Sequence, residues 1–305
     1  MSNIKEELKY LDCKIENNGK LVIYKNLGEI LGKGGFGSVY KFEEPNGNLI
    51  AGKIIRKDLY KNENIELLKQ EIELQKSFNR PDIVKIINFH EEEKYIFIFL
   101  ELCENGSLQD LINKREYLTE KEVQNYILQL IIALNHLHSK CIIHRDLKLG
   151  NLLLGKNMEL KIGDFGLAIK LSKGQNANGI EGTLGYQPPE MLNQKDYSFG
   201  ADIWALGIIM SYLLNGENPF GTIEDLAKNI IDINMKPSFK REKEISQAAK
   251  NLINQILEKD PEKRPTLNQI IYHEFFNREG VPKYLPRSIL VKPIEDFPKE
   301  ILNKE

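Results

Sequence analysis

Apolar and polar positions alternate through the first third of the chain. Residues 27–31, 38–42 and 49–55 are short runs rich in β-branched, aromatic and aliphatic side chains. A glycine-rich stretch and the turn Pro45-Asn46-Gly47 separate them, and the pattern predicts three β-strands. Residues 62–78 then switch to helical period, with Ile65, Leu68, Ile72 and Gln75 down one face of a charged helix. Two more strands follow, the second over 95–102. Beyond Gly106 the helical period takes over. Thr119 opens a capping-type start, and Val123, Ile127, Leu130, Ile131 and Leu134 recur on one stripe. Further helices are expected over 198–215, 223–231, 246–258 and 266–273. Residues 277–305 carry Pro282, Pro286, Pro293 and Pro298 and read as an irregular tail. The pattern therefore predicts a small strand-rich region followed by a larger helical one.

Composition narrows the function classes. The 305 residues are 41% hydrophobic and 28% charged, the balance of an ordinary globular protein. Lys and Arg number 42 against 44 Asp and Glu, so no strong field favours nucleic acid or an anionic membrane, and neither is expected as a partner. No apolar run approaches the ~20 residues needed to cross a bilayer, and residues 1–20 lack the layout of a signal peptide. Cys13, Cys103 and Cys141 are odd in number and not clustered for zinc. They imply reduced thiols and a cytoplasmic or nuclear location. No repeat of fixed period is present.

The chemistry-bearing motifs come in order. Gly32-Lys33-Gly34-Gly35-Phe36-Gly37-Ser38-Val39 fits GxGxxGxV, in which glycines let backbone N–H groups approach phosphate oxygens. Taken alone, it suits a nucleotide-covering hairpin, a dinucleotide site or an incidental turn. The alternating Val39-Tyr40-Lys41-Phe42 predicts a strand where a dinucleotide fold needs a helix. Lys53 ends the apolar run Ile50-Ala51-Gly52; it is a snorkelling lysine or a phosphate ligand. Glu71, on the next helix, is a surface carboxylate like Glu66 and Glu73, or the partner of Lys53. The decisive stretch is His144-Arg145-Asp146-Leu147-Lys148-Leu149-Gly150-Asn151, followed by Asp164-Phe165-Gly166. Phosphoryl transfer needs a group that orients the attacking hydroxyl, which suits Asp146. It also needs hard oxygen ligands for Mg²⁺, one or two ions, which suits Asn151 and Asp164. Gly182-Thr183-Leu184-Gly185-Tyr186-Gln187-Pro188-Pro189-Glu190 and Asp202-Ile203-Trp204 complete the series, with Arg264 in Asp260-Pro261-Glu262-Lys263-Arg264-Pro265.

In these motifs the chain resembles the eukaryotic protein kinases over residues 27–276. The resemblance implies an α+β fold of two lobes, a β-rich one over about 27–102 and a helical one over about 106–276. Residues 1–26 are an extension, and 277–305 a tail or the start of a linker. Lys148 and Thr183 resemble the serine/threonine branch. Ala51-Gly52-Lys53-Ile54, Leu100-Glu101-Leu102-Cys103, the segment 144–151 and Glu274-Phe275-Phe276 with Gly280-Val281-Pro282 are similar to polo-like kinases, which act in cell-cycle and cytoskeletal settings. The implied activity is transfer of the γ-phosphate of Mg-ATP to Ser/Thr hydroxyls of protein substrates. The alternatives are a pseudokinase scaffold and a serine/threonine kinase outside the polo-like group.

The resemblance assigns catalysis to Asp146, Lys148, Lys53 and Glu71, and metal binding to Asn151 and Asp164. ATP falls to Leu31, Gly32, Lys33, Gly34, Gly35, Phe36, Gly37, Val39, Ala51, Lys53, Leu100, Glu101, Cys103 and Leu153. Ser172, Thr183 and Glu190 belong to the activation segment, in which Glu190 pairs with Arg264. Four positions depart from the polo-like pattern: Gly37 and Val39 stand for Ala and Cys, Leu153 for Phe, and Gly179 for the usual activating threonine. Glu181 is expected to give Arg145 or a neighbouring base a fixed carboxylate, and Thr183 to bond near Asp146 and Lys148, so that activity needs no loop phosphate. Ser107 and Tyr212 stand where arginine-directed kinases carry acids, so an acidic residue before the phosphosite is the expected preference. A monomeric catalytic domain is expected. Residues 277–305 are too few for polo-box domains, so the sequence reads as a catalytic fragment or a shortened relative.

Overall fold

In the computed structural model, described residues are 8–17, 20–34, 37–59, 62–172, 174–276, 280–294, 297 and 302. The chain divides into two compact units, Met1–Glu104 and Asn105–Glu305. The first is built on one antiparallel sheet of six strands in the order β1-β2-β3-β4-β6-β5. These are β1 (Cys13–Asn17), β2 (Lys20–Gly34), β3 (Gly37–Glu43), β4 (Leu49–Arg56), β5 (Ile86–Glu91) and β6 (Tyr95–Glu101), with helix α1 (Asn62–Lys76) between β4 and β5. The sheet starts earlier than the sequence pattern predicts. β1 pairs with β2 from Cys13↔Tyr24 to Asn17↔Lys20, so part of the expected extension is sheet. Cys13, Tyr24, Phe42, Phe97 and Phe99 share one core, where Tyr24 stacks on Phe99 at 4.2 Å. Asn88 Nδ2, on the opposite edge strand, donates to the Tyr24 hydroxyl at 2.9 Å. The sheet is therefore curled until its two edges approach each other, as right-handed twist allows. Ile65 and Ile72 of α1 pack with Ile55, Ile86, Ile96 and Ile98, which accounts for the apolar face of that otherwise charged helix.

The second unit is helical. α2 (Leu108–Arg115) follows a Ser107–Asp110 capping box, and α3 (Glu120–Ser139) follows a Thr119–Glu122 box. Val123, Ile127, Leu130, Ile131 and Leu134 of α3 are all fully buried. The short strands are β7 (Ile142–Ile143), β8 (Leu152–Leu154), β9 (Leu160–Ile162) and β10 (Ile169–Lys170), with β8 paired to β9 and β10 to β7. The remaining helices are α4 (Pro189–Leu192), α5 (Gly200–Asn215), α6 (Leu226–Ile231), α7 (Gln247–Ile256) and α8 (Leu267–Ile271). α5 is buried on nearly every face, which its almost unbroken apolar sequence requires. The tail is not loose. Val281, Leu285 and Ile289 are buried, the buried Arg115 donates to Ile289 O at 2.7 Å, and Asn125 to Pro282 O at 2.7 Å. Proline punctuation hides this docking from a periodicity reading.

Candidate active site

In the first unit, β2 and β3 close a tight hairpin with pairs Gly32↔Val39, Lys33↔Ser38 and Gly34↔Gly37. Gly35 and Phe36, at its tip, lie outside the described residues, as does the Lys33 side chain. Gly37 has φ +150, and a Cβ there would stand 2.3 Å from Ile54 O, so this backbone rejects the alanine of the polo-like pattern. Lys53 sits on β4 opposite Val39 of β3 and Ile98 of β6. Of the three carboxylates on α1, Glu66 and Glu73 are exposed and pair with Lys69 and Lys76, whereas Glu71 is half-buried. Burial thus separates residues that the sequence leaves alike. Leu31 is exposed on β2, and Ala51 is buried on β4 beside Leu100 of β6, which packs on the isoleucine cluster. Glu101 accepts from Lys85 N at 2.7 Å, and Cys103 is half-buried and in no disulfide.

In the second unit the loop between β7 and β8 is held from below. Asp202, fully buried on α5, accepts from His144 N at 3.0 Å, Arg145 N at 3.1 Å and His138 Nε2 at 2.9 Å. Burial pushes its carboxyl up, but the His138 bond and charge, with the bond from His144 N, outweigh this and hold it below the usual range. His144 packs its ring edge-on against Phe165 at 5.0 Å; its Nδ1 accepts from Asp146 N and its Nε2 donates to Gly163 O. Arg145 and Asp164 both adopt positive φ, 67° and 59°, so the loop and the segment 164–166 carry backbone strain at the chemical positions.

Asp146 is the focus. Its Oδ1 accepts from the Thr183 hydroxyl at 2.7 Å, and its Oδ2 from Lys148 Nζ at 2.7 Å and Asn151 Nδ2 at 3.1 Å. Lys148 Nζ also reaches Thr183 Oγ1 at 2.8 Å. Gly182, at φ +87, makes this possible: a Cβ would stand 2.3 Å from Arg145 O. The Asn151 amide nitrogen is spent on Asp146 Oδ2 and on Asp146 O at 2.8 Å, which leaves the Asn151 amide oxygen for a cation. Asp164 is exposed. An amide oxygen and an exposed carboxylate are a donor set suited to a hard divalent cation. Leu153 lies on β8.

The activation segment ends on the bidentate pair of Glu190 with Arg264, at 2.6 and 2.7 Å and almost wholly buried. The expected pairing of Glu181 with a base is not formed. Arg145 instead donates Nε to Leu167 O at 2.5 Å and Nη1 to the Tyr197 hydroxyl at 3.3 Å, and Glu181 pairs with no described base. Tyr197 in turn donates to Asn178 O at 3.2 Å and forms a β-bridge with Ala177. No local signal in the sequence marks Tyr197, because its partner is Arg145, 52 positions away. Ser172 is exposed, and Gly179 has φ +88 with open space around it.

The model of the protein kinase domain family matches residues 25–276. A probable serine/threonine-protein kinase, CCRP1, of Zea mays is 45% identical, covering 87% of this chain and 43% of its own length. A probable serine/threonine-protein kinase PLK of Dictyostelium discoideum is 44% identical over 86% of this chain and 27% of its own. The serine/threonine-protein kinase polo of Drosophila melanogaster is 39% identical over 88% and 46%. The chain thus spans less than half the length of these relatives.

Proposed function

Since this chain belongs to the protein kinase domain family, we propose that it transfers the γ-phosphate of ATP to serine or threonine hydroxyls of protein substrates, in the manner of the polo-like kinases it resembles. The observation that carries this reading is the Asp146 cluster, in which one carboxylate, one ammonium, one amide and one hydroxyl are bonded into a single unit. Asp146 orients the substrate hydroxyl and takes its proton as the oxygen forms its bond to the γ-phosphorus and ADP departs with the bridging oxygen. Lys148 places a positive charge beside the transferring group. Thr183 fixes the Asp146 rotamer. Lys53 holds the α/β-phosphates and is itself oriented by Glu71. Asn151 and Asp164 are the protein ligands for Mg²⁺, one or two ions, which supplies charge neutralisation at the phosphates when bound. Glycines 32, 34, 35 and 37 offer backbone N–H groups, and Leu31, Val39, Ala51 and Leu153 offer apolar surface to adenine.

Substrate preference follows from the same surface. Ser107 is buried as the cap of α2, and Tyr212 stacks on Tyr186 at 5.8 Å, so neither position offers a carboxylate to an upstream arginine. An acidic residue before the phosphosite is therefore the proposed preference, in a monomeric, intracellular catalytic unit. A peptide array phosphorylated with labelled Mg-ATP tests both levels. Label on Ser/Thr peptides that disappears in Asp146→Asn supports the activity. No transfer to any peptide or to casein overturns it, and dominance of arginine three positions upstream overturns the acidic preference alone.

A further inference from the structure

The curled sheet of the first unit brings three metal-ligand side chains together. Cys13 of β1, His90 of β5 and Glu92, just past β5, present ligand atoms that all lie within 4.8 Å of one another. β1 and β5 are the two opposite edges of the six-stranded sheet, so the cluster exists only because the sheet curls until its edges meet. Cys13 is fully buried, while the imidazole and the carboxylate are half-exposed and open the cluster to solvent on one side. The ligands are also unspent. His90 Nε2 and Glu92 Oε1 stand 3.8 Å apart, too far for a hydrogen bond, and neither side chain bonds to another described residue. The adjacent Glu91 makes the contrast, since it is taken by Lys57 at 2.7 Å and Lys69 at 3.0 Å.

We propose that Cys13, His90 and Glu92 form a Zn²⁺ site that clips the two edges of the sheet together. One thiol, one imidazole and one carboxylate are a zinc ligand set, whereas Mg²⁺ and Ca²⁺ take oxygen ligands. Ligand atoms around a tetrahedral zinc stand about 3.3–3.8 Å apart, given bond lengths of ~2.0–2.3 Å. The cluster therefore closes with side-chain rotations of about an ångström. Water from the open side fills the fourth position. Cys13 binds as the thiolate and releases its proton to solvent.

The test uses the whole chain, stripped of metal and held in excess Mg²⁺ so that hard oxygen sites are occupied. Titration with Co²⁺ is expected to give a sulfur-to-cobalt charge-transfer band that saturates at one equivalent and bleaches when Zn²⁺ is added. Zn²⁺ is expected to raise the melting temperature. Cys13→Ala abolishes the band and the thermal shift, His90→Ala weakens binding at least tenfold, and Cys103→Ala and Cys141→Ala retain it. Absence of the sulfur band in the wild type, or its persistence in Cys13→Ala, overturns the site. Should Cys13→Ala fail to fold, the half-exposed His90→Ala decides: unchanged affinity there sinks the proposal.

Discussion

Asp146 accepts from three side chains at once, and two of them, Lys148 and Thr183, are bonded to each other as well. Such a unit tolerates no change of charge. Asp146→Asn exchanges a carboxylate for an amide facing three donors and is expected to lower kcat by roughly 10²-fold or more. Steady-state peptide phosphorylation measures it, and near-normal turnover would show that Asp146 does not have the assigned role. Thr183→Val keeps the shape and removes the hydroxyl that fixes the carboxylate. About a tenfold fall in kcat is expected, with the melting temperature unmoved. Asp202 acts at the same scale through acidity. Because its carboxyl is held below the ordinary range, the folded state binds fewer protons there than the unfolded one. The stability it contributes is complete above about pH 3.9, the unfolded value, and is lost as pH falls through the folded pKa. Denaturant melts from pH 7 to pH 2 should show a flatter acid limb for Asp202→Asn than for wild type. Identical limbs would place the acid sensitivity elsewhere.

Elements carry the control of the site. The activation segment is pinned at three places: the Thr183–Lys148–Asp146 contact, the Tyr197 hydroxyl between Arg145 and Asn178 O, and the buried Glu190–Arg264 pair. None of the three uses a phosphate, and residue 179, the usual phosphosite, is glycine. Phosphatase treatment is therefore expected to leave activity unchanged, and Ser172→Ala likewise, whereas Tyr197→Phe lowers activity several-fold. Loss of activity in both the phosphatase-treated protein and Ser172→Ala would return control to a modified loop. Gly182→Ala puts a methyl group into Arg145 O and should disable turnover without unfolding the chain, read by kcat against circular dichroism. Arg264→Leu leaves Glu190 as an uncompensated buried carboxylate, at a cost of about 3–5 kcal/mol. Thermal melts that show no destabilisation would contradict that account of the pair.

For the molecule as a whole, the tail belongs to the second unit. Val281, Leu285 and Ile289 are buried, and Arg287 donates to Asn105 Oδ1 at 2.8 Å. Each buried aliphatic side chain is worth about 1.5–3 kcal/mol, and 1 kcal/mol moves Tm by about 2–4 °C at this size. A chain stopped at residue 276 is thus expected to melt roughly 10 °C or more lower, and an unchanged Tm would mean the tail docks without consequence. The sequence by itself determined the order of the main strands and helices from Leu27 on, the capping box at Thr119, and the phosphotransfer motifs. These depend on residue type and on spacings of a few positions, which periodicity and local bonding fix. It could not separate Glu71 from Glu66 and Glu73, because burial is not a local property. Nor could it find Tyr197 as the partner of Arg145, for the two meet only once the segment around Ala177 pairs with Tyr197. The closure of the sheet that brings Cys13 to His90 lay equally beyond it. Only tertiary structure decided these, since each joins residues far apart in sequence through curl, burial and long-range pairing that no local pattern encodes.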